Sequence, residues 1–192
     1  IARQGLIICS ETYSKYIEPK DRTCRPLFSD AAAVSLIART AEDTLGPFEM
    51  GTEGAGYNNL IVRSDEDPAS SESNKLFMNG SKVFMFTMDM VPKCVNALLK
   101  KSGITIQDVY LFIFHQASKL VIDNLIRRLD LPADKVFTNY ETIGNTVSAS
   151  IPIAMKQAIE GGKMHKGDDV MLVGFGVGYS WGACMLKYGG DS

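Results

Sequence analysis

Three stretches that could do chemistry each stand just after an apolar run of the sequence. His115 follows residues 109–114 (VYLFIF), Asn145 comes shortly after residues 136–139, and residues 174–178 (GFGVG) follow residues 170–173. Because the carboxyl ends of parallel strands meet at one edge of a sheet, we expect an imidazole, a carboxamide and a glycine-lined backbone to converge there. Such donors can stabilise negative charge that develops on an oxygen atom. Position alone leaves open that His115 is a structural histidine and Asn145 a turn residue.

The glycine-rich stretch does not fit a dinucleotide-binding loop. Such a loop must open a helix, whose amino end then holds the phosphates. Here a tight turn leads instead into residues 179–188, which have the composition of a strand. We therefore predict that these glycines let the backbone approach a ligand closely and offer it an N–H group. The sequence also contains neither a GxSxG nucleophile elbow nor a P-loop.

The elements that must position these residues alternate between strands and helices. Apolar runs predict strands at residues 5–10, 31–38, 109–114, 136–139, 170–173 and 179–188, the first of them a buried parallel strand. The pair at 5–10 and 31–38 resembles the pair at 170–173 and 179–188, which indicates an internal structural repeat. Residues 63–75 are polar and acidic, and we expect an exposed loop there. The alternation predicts an α/β fold with a mainly parallel sheet covered by helices.

Three helices are predicted from apolar residues that recur on one face. The first begins near Asn79 and stops at Gly103, and Pro92 inside it should cause a kink or a break. The second follows residues 115–116, and the third ends at residues 161–162. The buried faces are predicted to hold Phe84, Met88, Val91, Val95 and Leu98 in the first helix; Ile122, Leu125, Ile126 and Leu129 in the second; and Ile151, Met155, Ala158 and Ile159 in the third.

Several motifs in a fixed order carry a resemblance to a known family. They are HQAS at residues 115–118, GNT at 144–146 and GFGVGYSWG at 174–182, with FSDAA at 28–32 upstream. With these motifs the chain resembles the β-ketoacyl-acyl-carrier-protein synthase III family of thiolase-fold condensing enzymes. The resemblance implies the C-terminal portion of such an enzyme, with a mixed sheet covered by helices. Residues 1–40 would be the last strands of the N-terminal thiolase-like half, and residues 41–192 the C-terminal half with the His/Asn pair.

The resemblance implies an acyltransferase with a Cys–His–Asn active site. A thiolate would take the acyl group of an acyl-CoA, and malonyl-acyl-carrier protein would lose CO2 to give the carbanion that attacks the acyl-enzyme. This is a decarboxylative Claisen condensation that initiates fatty acid or polyketide chains. Coenzyme A thioesters would be substrates, no cofactor or metal is expected, and the active form would be a homodimer.

The resemblance also assigns roles to individual residues. His115 and Asn145 would donate hydrogen bonds to the malonyl thioester oxygen, and the Val177 backbone N–H would form part of the oxyanion hole. The secondary roles are coenzyme A binding by Arg22 and Ser118, an acyl pocket of Phe28, Met78 and Phe84, and carrier-protein docking by Gln116, Arg127 and Arg128. Ordinary solvated arginines, core packing and an exposed helix face would explain these secondary residues equally well.

Three residues depart from the family pattern. Ser118 stands where an asparagine is usual, Leu120 replaces a carrier-contacting arginine, and Val177 replaces a glycine. These changes leave two alternatives open: a relative that transfers the acyl group to an oxygen or nitrogen acceptor, and a non-catalytic binding domain that kept the fold.

None of the four cysteines occupies the position of the family nucleophile. The resemblance places that cysteine upstream of Ile1, so the chain as given should be unable to complete the reaction. Cys9, Cys24, Cys94 and Cys184 are widely spaced, without a CxxC pair, and metal binding is not expected.

Bulk composition excludes some partners. The net charge of −2 disfavours nucleic acid as the main partner, and no apolar run reaches the roughly 18 residues of a membrane span. The first residues lack the layout of a signal peptide, and the unpaired cysteines indicate a reducing, cytoplasmic location.

Overall fold

A five-stranded mixed sheet forms the centre of the chain. The computed structural model describes residues 3–39, 41, 44–63 and 74–190. Across the sheet the strands run in the order β3 (Leu45–Thr52), β9 (Ser180–Lys187), β8 (Asp169–Gly176), β6 (Leu111–Phe114) and β7 (Val136–Phe137). The pairs β8/β6 and β6/β7 are parallel, whereas β8/β9 and β9/β3 are antiparallel. The predicted α/β class is confirmed, and the sheet is mixed.

Helices α1 (Gly80–Ser102) and α2 (Lys119–Leu129) cover one face of this sheet. The Asn79 side chain caps α1 by accepting from the Lys82 N–H at 3.1 Å, and Gly103 ends it in the left-handed conformation at φ 69°. The helix continues through Pro92, which is buried within it, so a break does not occur there and the kink stays a prediction. The predicted face of α2 is confirmed, since Ile122, Leu125 and Leu129 join the core with Ile126 beside them.

Helix α4 (Ser150–Glu160) covers the opposite face and separates the large sheet from a small one. Ala154 and Ala158 pack against Leu111, Ile113 and Val170 of the large sheet. On its other side α4 contacts β2 (Ala31–Ala38), which pairs with β1 (Gln4–Glu11). A short helix, α3 (Tyr140–Ile143), links β7 to the segment that leads into α4.

The sequence correctly predicts that β1 is a strand, but the prediction that this strand is buried and parallel is wrong. β1 pairs antiparallel with β2, and one face of this two-stranded sheet leaves Leu6, Ile8, Val34 and Leu36 each more than 60% exposed. The predicted buried, parallel strand would need neighbours on both edges and cover on both faces, which the described residues do not supply. Both β1/β2 and β8/β9 are antiparallel pairs of eight-residue strands, and the internal repeat stays a prediction.

Three strands have no counterpart in the sequence-based prediction. They are β3, β4 (Leu60–Arg63) and β5 (Lys75–Met78), and β4 and β5 form a second two-stranded antiparallel sheet. The two ends of the predicted 63–75 loop, Arg63 and Lys75, are therefore paired strand residues. Residues 64–73 of that loop lie outside the described residues. The division into halves at residue 40 remains a prediction.

Candidate active site

One cavity of about 710 Å³ brings together the residues that were predicted to carry chemistry. His115, Asn145 and Val177 all line it, as do Gly174 and Gly176 of β8. The walls are mostly apolar, and their polar side chains include an imidazole and a carboxamide. The expected convergence of three separate loops is therefore present in the structure.

His115 stands directly after β6 and is fixed on several sides. Its backbone N–H donates to the Val173 carbonyl at 2.8 Å, which continues the pairing of β6 with β8. Its Nδ1 lies 2.6 Å from the Ser150 hydroxyl, and its ring meets Phe175 edge-on with centroids 5.2 Å apart. Burial lowers the pKa of the imidazole from 6.5 to about 4. His115 is thus a neutral imidazole at physiological pH.

Asn145 is held by its neighbours in one orientation. Its Oδ1 accepts from the Val147 N–H at 2.9 Å, while its Nδ2 donates to the Ala117 carbonyl at 3.3 Å. Val147 reaches this position at φ 53°, a left-handed conformation that β-branched residues rarely adopt. A carboxamide nitrogen carries two N–H donors, so one remains for a ligand in the cavity. The short helix α3 separates Asn145 from β7, so the residue does not follow the strand as directly as predicted.

Val177 occupies the turn between β8 and β9. β8 extends through Gly176, so Gly174 and Gly176 belong to the strand and only residues 177–179 form the turn. The next element is β9, which confirms that this stretch does not open a helix. In the part of the chain that the structure describes, no residue accepts a hydrogen bond from the Val177 N–H. Val177 itself lines the cavity and is 44% exposed.

The residues predicted for the acyl pocket also meet in this cavity. Phe28, Met78 and Phe84 line it together with Ser118. Phe28 packs against Tyr13 with ring centroids 5.0 Å apart, so it is held by the N-terminal part of the chain. Arg22 is exposed and does not line the cavity, although its neighbour Thr23 does. Ser118 has a structural role as well, because its Oγ caps α2 by accepting from the Val121 N–H at 3.3 Å.

Gln116 cannot serve as the surface docking residue that the sequence predicted. Its side chain is fully buried, with Nε2 donating to the Phe114 carbonyl at 2.7 Å and Oε1 accepting from the Asn139 N–H at 3.0 Å. These two hydrogen bonds link β6 to the loop after β7. Arg127 and Arg128, by contrast, are exposed and line a groove of about 550 Å³ that shares Phe84 with the main cavity.

Ser150 is the residue at the site that sequence reasoning missed. It begins α4, is only 2% exposed, and lines the cavity beside the His115 ring. The sequence contained a weak signal for it: a small polar residue at the first turn of a helix, a few positions after Asn145. Nothing in the sequence alone distinguishes this serine from Ser148.

The cavity contains no cysteine among its described lining residues. Burial raises the pKa of Cys24 to about 12 and that of Cys94 to about 11, and it also raises the pKa of Cys184. Thiols with such values are poor nucleophiles near neutral pH. The described ranges also contain no cluster of three metal-ligating side chains. Across the same ranges, no helix combines the length and apolar character that a membrane crossing requires.

Comparison with known proteins agrees with the motifs. The family model for the 3-oxoacyl-[acyl-carrier-protein] synthase III C-terminal region matches residues 99–188, and the companion model of the same synthase matches residues 1–54. The chain belongs to the 3-oxoacyl-[acyl-carrier-protein] synthase III family. The two matched regions include His115, Asn145 and Val177 in the first and Phe28 in the second.

Individual members of the synthase III family show the same relationship. The β-ketoacyl-[acyl-carrier-protein] synthase III of Synechocystis sp. is 34% identical over 197 residues, which cover 98% of this chain and 60% of that protein. The crystal structure of the synthase III from Thermus thermophilus has a TM-score of 0.90 at 34% identity, covering 99% of this chain and 60% of that one. The priming β-ketosynthase of the R1128 polyketide pathway gives 0.90 at 29% identity, covering all of this chain and 59% of that one. The chain thus spans about 60% of the length of the synthase III relatives it matches, and it has their thiolase-like fold.

Proposed function

We propose that the protein to which this chain belongs is an acyltransferase that carries out a decarboxylative Claisen condensation. An acyl-CoA would load a cysteine outside this chain, and malonyl-acyl-carrier protein would supply the attacking carbanion. The observation that carries the proposal is that His115, Asn145 and Val177 line one largely apolar cavity. Coenzyme A thioesters act as substrates in this scheme, and no resident cofactor takes part.

The geometry suits the decarboxylation step. When malonyl thioester loses CO2, negative charge moves to the thioester oxygen, and two donors aimed at that oxygen lower the barrier. The neutral imidazole of His115 and the carboxamide of Asn145 are such donors. Neither brings a positive charge into the cavity, and a neutral donor does not pair with the malonyl carboxylate that must leave. The apolar walls strengthen both hydrogen bonds because they exclude water.

Substrate recognition would use residues inside the cavity and on the surface around it. Phe28, Met78 and Phe84 would enclose the acyl chain, and Ser118 and Arg22 would contact coenzyme A. The exposed pair Arg127 and Arg128 would attract an acidic carrier protein, since opposite charges favour docking. We further propose that the protein is a cytoplasmic homodimer.

The experiment that tests the proposal uses the full-length protein with acyl-CoA and malonyl-acyl-carrier protein. Release of CO2 together with a 3-oxoacyl product is the expected result. Acyl transfer to an alcohol or amine without CO2 release would contradict condensation. It would support the alternative acyl transfer that the departures from the family pattern, including Leu120, leave open. Leu120 lines the cavity and is 64% exposed where the family pattern has a carrier-contacting arginine. Failure to take up any acyl group would indicate a binding domain.

A further inference from the structure

Ser150 and His115 form an isolated hydrogen-bonded pair beside the cavity. Ser150 Oγ lies 2.6 Å from His115 Nδ1, and within residues 74–190 neither atom has another recorded hydrogen-bond partner. Ser150 is 2% exposed and stands at the first turn of α4, so its position is fixed by the helix. Because Nδ1 is engaged by Ser150, Nε2 is the ring nitrogen left for a ligand.

The surroundings of the serine hydroxyl indicate which group donates. If the Nδ1–H donated to Ser150 Oγ, this buried hydroxyl would have no acceptor for its own proton among the described residues. The contact therefore favours the serine O–H as donor and Nδ1 as acceptor. In a neutral imidazole only one nitrogen carries a proton, so acceptance at Nδ1 places the proton on Nε2.

The geometry points to Ser150 as a positioning residue that keeps His115 in the Nε2–H tautomer, so that this N–H faces the thioester oxygen in the cavity. The role rests on the proposed function. In the opposite tautomer Nε2 would present a lone pair to the oxygen and repel the charge that develops there. Asn145 and Ser150 lie on one continuous segment, 145–150, which thus supplies one donor itself and orients the other.

Nuclear magnetic resonance of ¹⁵N-histidine-labelled full-length protein tests the tautomer without relying on activity. The His115 signals are assigned by their loss in His115→Gln. At pH 7 we expect the Nε2–H form in the wild type and averaged shifts from both tautomers in Ser150→Ala. Ser148→Ala is the matched control, because it makes the same change on the same segment and leaves the Ser150 contact with Nδ1 in place, so it should retain the Nε2–H form.

Two results would overturn the inference: an Nδ1–H tautomer in the wild type, or an unchanged tautomer in Ser150→Ala. The wild-type measurement is decisive by itself, so the test survives if the alanine variant does not fold. Ser150→Thr keeps the hydroxyl and should restore the Nε2–H form.

Kinetics separate positioning from a merely structural role. With malonyl-acyl-carrier protein, Ser150→Ala should lower kcat for CO2 release about tenfold, the factor for one net hydrogen bond, and leave KM within about twofold. An equal loss in Ser150→Thr would contradict a role for the hydroxyl. If the wild type releases no CO2 at all, the proposed function fails, whereas the tautomer measurement still decides the role of Ser150.

Discussion

Phe28 and Asn145 are joined by a parallel β-bridge. The Ser29 N–H donates to the Asn145 carbonyl at 2.9 Å, and the Asn145 N–H donates to the Leu27 carbonyl at 2.9 Å. A residue of the predicted acyl pocket and a predicted catalytic residue therefore share one backbone link. Through this bridge, residues 27–29 fix the backbone position of Asn145 and therefore the place of its carboxamide in the cavity.

Gly144 makes this bridge possible, and Gly144→Ala should disrupt it. Gly144 has φ 75° and ψ −163°, a region that is essentially restricted to glycine, and a Cβ there would lie 2.6 Å from Ser29 Oγ. We expect a loss of about 3 kcal/mol in the free energy of unfolding, measured by chemical denaturation. Gly162→Ala is the control, since Gly162 has φ 62° and open space around it, and it should cost only about 1 kcal/mol. Equal losses in the two variants would argue against the clash.

Removal of either proposed donor should slow decarboxylation far more than acyl loading. In His115→Ala and Asn145→Asp we expect kcat for CO2 release to fall by about 10²–10³, because one donor to a developing oxyanion contributes on the order of 3 kcal/mol. Asn145→Asp is the sharper variant, since the carboxylate still accepts from the Val147 N–H. His165→Ala, in an exposed position, serves as the control. Retention of more than about a tenth of the CO2 release in both donor variants would remove the proposed mechanism.

The neutral state of His115 should make stability depend on pH in a defined window. The native pKa is about 4 against an ordinary 6.5, so the unfolded chain binds more protons between these values. The free energy of unfolding should therefore decrease as pH falls from about 6.5 toward 4. Between pH 7 and pH 5 we expect His115 to account for a loss of about 1–2 kcal/mol. Denaturation of wild type and His115→Gln at both pH values measures this, and an identical pH response in the two proteins would exclude it.

Gln116 should matter for stability. Gln116→Leu leaves the Phe114 carbonyl and the Asn139 N–H without their partner in a buried environment. The expected cost is about 3 kcal/mol in the free energy of unfolding. Gln107→Leu places the same substitution at an exposed side chain, and it should change stability by less than about 0.5 kcal/mol. A Gln116→Leu protein of wild-type stability and weakened carrier binding would instead support the docking role that the burial of this residue contradicts.

Much of the C-terminal fold could be predicted from sequence because its signals are local. The apolar residues of α2 and of α4 recur with helical spacing, and β6 is a continuous apolar run buried on both faces. The convergence of His115, Asn145 and Val177 followed from the ends of those strands. Of the kink or break expected at Pro92, the break did not occur, because α1 continues as helix on both sides of this buried residue.

Other features depend on partners that are distant in the sequence. β3 contains Pro47 and lacks a clear alternation, and it becomes a strand because it pairs with β9, whose residues lie 128 to 141 positions later. In the sequence, Gln116 is a polar residue at the start of a loop. Its burial becomes visible only in the structure, where the loop after β7 packs against it. The Ser150 contact depends on the packing of α4 beneath β6, which no local pattern encodes.

The apolar outer face of the β1/β2 sheet has a practical consequence. The β1/β2 sheet exposes the apolar side chains of Leu6, Ile8, Val34 and Leu36 to water. Among the described residues, its two outer strand edges pair with no further strand, so both features can bind other molecules. We expect a polypeptide of these 192 residues, produced by itself, to aggregate through this face. Preparations intended for biochemistry should therefore be checked for solubility before any loss of activity is interpreted.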